Sequence, residues 1–347
     1  MKNYVLFTGM SMSLLLTFSA CKKENAGTNS LSKNDVIVDN RINPNKVDPP
    51  PGGSICLGNL TKYLLVFTNG SSDANWQGAT KGFIGDVAVN GLVANERTSG
   101  GVPYSGTLYT NAATSGSWQG ILDQNTSQSL GSTGEGARID GLMADLDNAF
   151  TLINSMSPST GYEAVSSASL NGLNTQNGAA DVIVINITSG LQVSSKINIT
   201  GDADDVFILR WDTDADPSNG YQGIVKFQSG GGIVPYGDLK ASNFINVAGD
   251  ISSSGGGTNP AVPYPQGPRT TDGLGNLITN GADFNGGGFF TGYWLTTGDP
   301  ITGQTHALSN AIFVGGWYTS SNKFSMTSGT SGVYVSPPAV LVCGSAN

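Results

Sequence analysis

Charge is the first thing this chain is short of. Asp, Glu, Lys and Arg make up only 12% of its 347 residues, and the balance is acidic, with a formal net charge of −9. The basic residues form no cluster, whereas neutralising a nucleic-acid backbone takes grouped Lys and Arg. Nucleic acid is therefore excluded as a partner, and anionic membrane surfaces are disfavoured on the same grounds. Histidine is nearly missing. His306 stands alone in "TGQTHALSN" with no activated Ser or Cys context around it, which gives nucleophile–base catalysis little to work with. Only three cysteines occur, Cys21, Cys56 and Cys343. No apolar run is long enough for a stable transmembrane helix.

In place of charge stand 49 glycines, and Ser, Thr and Asn fill most of the other polar positions. Charge-rich disordered chains do not have this composition. It suits an all-β architecture of short strands and tight turns. From Ile55 the chain reads as short apolar alternations bounded by Gly and Asn: "KYLLVFTNG", "GFIGDVAVNG", "DVIVINITSG", "SKINITGD", "DVFILRWD", "GIVKFQSGGG" and "NFINVAGDIS". Each has the length of a half-buried strand. Arriving every 10–20 residues, they fit a sandwich, a barrel or a solenoid. One segment breaks the pattern. In "EGARIDGLMADLDNAFTLINSMSP", Ile139, Leu142, Met143, Leu146, Phe150 and Ile153 recur at helical spacing, and Asp140, Asp145 and Asp147 lie off that stripe. This predicts a helix over 136–156, stopped by Pro158 and laid on a sheet face.

The N-terminus, "MKNYVLFTGMSMSLLLTFSAC", has Lys2, an apolar run, and Ser19 and Ala20 before Cys21. It resembles a bacterial lipoprotein signal, which implies that Cys21 is lipidated and becomes the mature N-terminus. The expected divisions are a signal over 1–21, a polar tether over 22–54 ending in "DPPPGG", and a folded domain over 55–347. The expected location is outside the cytoplasm, as an outer-membrane or cell-surface lipoprotein whose lipid is its one membrane contact. Export to an oxidising compartment makes a Cys56–Cys343 disulfide plausible; two buried free thiols are the alternative.

Near the C-terminus "GYWLTTG", "GGWYTSS" and "GVYVSPP" share the form Gly, any residue, aromatic, any residue, Thr or Ser. Stacked coils would align Trp294, Trp317 and Tyr334 in one ladder, with Thr296, Thr319 and Ser336 beside it.

In order along residues 55–340, "LGNLTKYLLVFTN", "GFIGDVAVNG", "SGTLYTNAA", "ARIDGLMADLDNAFTLINSM", "LQVSSKINITGDADDVFILRWD", "DLKASNFINVAGDISSSGG", "GGFFTGYWLTTG" and "NKFSMTSGTSGVYV" resemble the blocks of the ice-binding-protein-like family (DUF3494). The chain departs from that family at Asn246, which stands where Gln is usual. It also carries a Gly/Pro insertion over roughly 253–288 and a closing coil without the usual Arg. The exported adhesion-like domains called choice-of-anchor A share some of the strand motifs. The resemblance implies a right-handed β-solenoid of triangular cross-section with one long α-helix packed alongside. It further implies a monomeric, non-catalytic protein with no cofactor that binds ice, or else a surface adhesin that binds an extracellular polysaccharide.

A solenoid face repeats its side chains at strand spacing, which suits a repetitive ligand. Thr296, Thr319, Thr327, Thr330 and Thr80, with Ser336, are the candidate ice contacts, while an outward Trp294 and Trp317 would favour sugar rings. "WDTDADPSNG" alternates Asp212, Asp214 and Asp216 like the start of a calcium loop, and Asp202, Asp204 and Asp205 lie just ahead. Pro217 and Gly223 occupy the sites where an EF-hand needs Gly and Glu, so a charged turn is the simpler expectation. "GDADD" likewise lacks the partners that a solenoid lyase or hydrolase would supply, and no enzyme is expected.

Overall fold

A computed structural model of the chain describes residues 55–68, 73–76, 82–89, 104–110, 129–130, 136–212, 224–249, 281–296, 306–309, 312–319, 323–326 and 331–335. All of them fall in one compact unit, Arg41–Asn347. The fold is mostly β with one long helix, and every strand pairing recorded is parallel. Among the described residues no helix is long and apolar enough to cross a membrane.

The strands sort into three ladders. The first contains β1 (Tyr63–Phe67), β4 (Asp86–Val89), β6 (Leu108–Thr110), β7 (Ser129–Leu130), β8 (Val165–Ser166), β10 (Val182–Ser189), β13 (Val206–Asp212), β16 (Phe244–Gly249), β18 (Phe289–Thr296) and β20 (Ile312–Thr319). Their order is β7-β6-β4-β1-β20-β18-β16-β13-β10-β8. The second runs through β9 (Leu173–Asn174), β12 (Lys196–Gly201), β15 (Gly232–Gly237), the starts of β18 and β20, β22 (Ser331–Val333), β3 (Gly82–Ile84) and β5 (Tyr104–Ser105). The third is β11 (Gln192–Val193), β14 (Ile224–Phe227), β17 (Gly281–Asn285), β19 (His306–Ser309), β21 (Lys323–Met326) and β2 (Asp73–Trp76).

Two strands serve two ladders because they bend at glycine. Gly292 and Gly315 stand in register with φ of +90° and +144°, and a Cβ on Gly315 would lie 1.8 Å from the Gly292 carbonyl oxygen. Only glycine takes both the dihedral and the approach.

The helix α1 (Gly136–Ser155) explains the strand order. Its 20 residues rise about 30 Å. The apolar layer beneath it draws on seven consecutive strands, β4 to β10, whose six spacings of about 4.8 Å cover the same distance. The chain thus leaves the first ladder at β7, crosses back over its outer surface as α1, restarts at β8 and climbs to β20 beside β1. Ile139, Leu142, Leu146, Phe150 and Ile153 are buried, as their spacing predicts. Met143 is the correction: it is an exposed large apolar residue, and Ala149 takes an inward place.

The first ladder is buried on both sides, so its strands are not the half-buried ones expected from alternation. Inward residues such as Phe67, Ile185, Leu209, Trp211, Trp294 and Trp317 join one cluster, while Val66, Val184, Ile208, Val247, Tyr293 and Tyr318 face the helix. Double burial is what makes "VFILRWD" almost continuously apolar.

Candidate binding face

The expected C-terminal ladder forms in part. Trp294 pairs with Trp317 and Thr296 with Thr319. The third rung belongs to Leu65, opposite Trp317. Tyr334 follows Val333, which pairs with Val314, and so falls short of that row.

The orientation is opposite to the one expected. Trp294, Trp317, Thr296 and Thr319 are all buried. Trp317 Nε1 donates to Thr296 Oγ1 at 3.0 Å, turning that hydroxyl inward. These four residues are interior, because their neighbours Tyr293, Leu295 and Tyr318 hold the helix-facing side. Thr80, Thr327, Thr330 and Ser336 lie outside the described residues, as do Cys21 and Cys343. Cys56 is half-buried and disulfide-bonded.

Two of the acidic candidates, Asp205 and Asp212, are also buried, while Asp204 is exposed. Asp212 is buried at the end of β13, in register with Gly249, and is therefore not a free ligand beside Asp214 and Asp216, which lie outside the described residues. In "GDADD" the buried Asp205 carboxylate accepts from Thr175 Oγ1 at 2.7 Å, from the Asp202 amide at 3.0 Å and from the Asp181 amide at 3.0 Å. Burial pushes its pKa up, and those donors oppose the shift. Asp202 accepts from the Asn177 and Gly178 amides at 2.8 and 2.7 Å. These oxygens join neighbouring turns, and no cluster of metal-ligating side chains occurs among the described residues. His306 lies in β19 with its backbone opposite Phe324.

Two ladders remain, and the exposed apolar residues among the described ones single out the second. The first ladder is covered by α1, but the second carries three of the most exposed large apolar residues: Ile84 at 56%, Tyr236 at 49% and Ile312 at 46%. One row in register joins Lys196, Gly232, Phe289 and Ile312, exposed at Lys196 and Ile312, and its backbone pairing continues into β22 and β3. A second joins Asn198 to Val234 and, across β18, Val314 to Ile84 by way of the backbone of Val333; Thr291, two residues beyond the Gly232–Phe289 pair, is buried between its two halves. A third joins Asn174, Thr200 and Tyr236. Inward positions between the rows are Ile197, Ile199, Ile233, Phe290 and Phe313. The Thr291 hydroxyl is turned to the Ile233 carbonyl oxygen at 2.6 Å, and the Lys196 ammonium sits 5.6 Å from the centre of the Phe289 ring. The described part of this side is therefore mainly apolar and β-branched at its centre, and polar at the β9–β12 end. Sequence reasoning missed Ile84, Val234, Tyr236, Phe289, Ile312 and Val314. Alternation shows which residues share a side, but with apolar residues on both sides it does not show which side is outside.

No protein-family model matches the chain, and no curated protein matches it significantly. Solved structures do. An ice-binding protein from an Arctic yeast is 11% identical with a TM-score of 0.46, over 82% of this chain and 96% of that one. An ice-binding protein from the Antarctic ascomycete Antarctomyces psychrotrophicus is 13% identical with a TM-score of 0.45, over 82% and 100%. The DUF3494 domain of a Shewanella frigidimarina ice-binding protein is 13% identical with a TM-score of 0.42, over 82% and 99%.

Proposed function

We propose that this chain is an exported, non-catalytic protein that binds a flat, repetitive surface, ice first of all, through the outer side of the second ladder. In this reading the three ladders are the walls of a right-handed solenoid of triangular cross-section. The observation that carries it is the stacking, in parallel register, of Phe289 on Ile312 and of Val314 on the strand that leads to Ile84, with Ile312 and Ile84 exposed. β-Branched side chains are stiff at χ1, so the array loses little entropy when it meets a lattice. The sequence resemblance to the ice-binding-protein-like family names the ligand. Thr330, next to β22 in sequence, Thr80, two residues before β3, Thr327 and Ser336 are retained as proposed ligand contacts.

Thermal hysteresis and ice-crystal shaping by the mature chain test the reading. Ile312→Lys and Ile84→Lys should abolish activity with little change in melting temperature, since both positions are exposed. Full activity in both variants would move the site off this face. The glycan-binding alternative has lost its tryptophans to the interior and keeps Tyr236 as its exposed aromatic. Retention on a glycan array that Tyr236→Ala removes, with ordinary ice growth, would establish it instead.

We also propose that Cys21 carries the lipid anchor and that Cys56 is bonded to Cys343. Mass spectrometry of the mature N-terminus and non-reducing peptide mapping test these two assignments.

A further inference from the structure

The proposed binding plane joins two stretches of chain that are far apart in sequence. Elsewhere on the second ladder successive rungs follow one another along the chain, but at β22 the neighbouring rung is β3, with Val333 opposite Ile84. Ile84, the most exposed large apolar residue of the face, therefore belongs to the N-terminal segment, and Ile312 and Val314 to the C-terminal one.

Tyr334, immediately after β22, fastens the two. Its backbone N–H donates to the Ile84 carbonyl oxygen at 2.8 Å. Its phenol donates to the Thr61 carbonyl oxygen. Its β-carbon lies against Gly85, where an added Cβ would come within 2.7 Å of it. Gly85 turns β3 into β4 at φ +139°, a conformation that L-residues rarely adopt, so the turn and the tyrosine fit each other. Tyr293 Oη donates to the Val335 carbonyl oxygen at 2.8 Å and Tyr318 Oη to the Tyr63 carbonyl oxygen at 3.2 Å, holding both sides of the junction.

We propose that Tyr334 is a positioning residue for the binding plane, setting the height and register of Ile84 against Val314 so that the outward rows cross the junction without a step. This rests on the second ladder being the binding face. An array of weak contacts acts in register, so a small offset across the junction divides one long array into two short ones.

Tyr334→Phe removes the bond to Thr61 and keeps the ring, the Ile84 bond and the Gly85 contact. Thermal hysteresis of the mature wild type, Tyr334→Phe and Ile153→Ala should be measured beside hydrogen exchange and melting temperature. Tyr334→Phe is expected to lose activity several-fold, with faster exchange at residues 63–67 and 82–84 and unchanged exchange in β10 and β13. Ile153→Ala, buried at the end of α1 that lies over β13 and away from the junction, is expected to melt lower yet stay active while folded. Full activity in Tyr334→Phe, or an equal loss in Ile153→Ala, overturns the positioning role alone. An inactive wild type overturns the proposed function and this inference with it.

Discussion

Thr296 and Thr319 show how a residue can share a row with its counterpart and still face the wrong way. Their register is the one a repeated motif suggests, but both are buried, and the Thr296 hydroxyl accepts from Trp317. A bulky side chain at Thr319 should therefore act on the core. Thr319→Tyr is expected to destabilise by about 1–3 kcal/mol through overpacking, read as a lower denaturation midpoint. A neutral effect would place the side chain outside. Arg210 is the other informative residue. Buried on the helix side of β13, it donates to Asn186 Oδ1 at 2.7 Å and to the carbonyl oxygens of Ile153 and Met156 at 3.2 and 2.9 Å, so it caps the C-terminal end of α1. Burial lowers its pKa to about 10, which leaves it charged at neutral pH and suited to the negative end of the helix. Lysine lacks the planar fork that reaches all three acceptors. Arg210→Lys should lose about 1–3 kcal/mol by leaving buried acceptors unmet, as equilibrium unfolding would report.

Among elements, α1 covers the first ladder and so removes it as an open face. Leu146→Ala should cost roughly 2–5 kcal/mol as a buried truncation, measured by chemical denaturation. At its N-terminal end the helix is tied to β1 and β6 by Arg138, whose guanidinium lies 4.4 Å from the centre of the Tyr109 ring and donates to Tyr63 Oη at 3.1 Å. Removing this helix would uncover a second apolar sheet surface, which is a hazard for aggregation more than a second binding site. Much at this scale is legible in the sequence. The stripe on α1 has a period that only a helix explains, and the Gly-bounded apolar segments 182–189, 206–212 and 244–249 are strands of near the expected length. Met143 misled because it neighbours Leu142 at the stripe's margin, where a small rotation of the helix decides burial.

At the scale of the whole molecule, the earliest and latest of the described strands meet. β1 pairs with β20 and β3 with β22, and the phenols of Tyr293, Tyr318 and Tyr334 donate to carbonyl oxygens at this junction. Burial raises the pKa of Tyr293 and Tyr318 above the ordinary phenol value, and Tyr63 moves the same way. Since the folded state favours the neutral phenol, its contribution is complete below about pH 10 and is lost as pH rises from there toward the folded values. Stability should be level near neutrality and fall above about pH 10, and the fall should be shallower in Tyr293→Phe/Tyr318→Phe. A pH series of melting temperatures checks this. If Cys56 is bonded to Cys343, the closed loop could contribute up to about 5 kcal/mol by limiting the unfolded chain, so reduction should lower the melting temperature markedly.

The sequence by itself determined the local elements. Glycine-bounded apolar alternation specifies short strands, the 136–156 stripe specifies one helix, and the scarcity of charge and histidine argues against nucleic-acid binding and triad chemistry. Local spacing is enough for these because propensity and periodicity act within a few residues. Only the tertiary structure decided which side of each strand is outside. When both sides are apolar, as in "GGFFTGYWLTTG", that choice depends on where α1 lies, and α1 lies where it does because the chain must cross back from β7 to β8. The same crossing brings Ile84 beside Val333 and assembles the open face from residues that no local pattern connects.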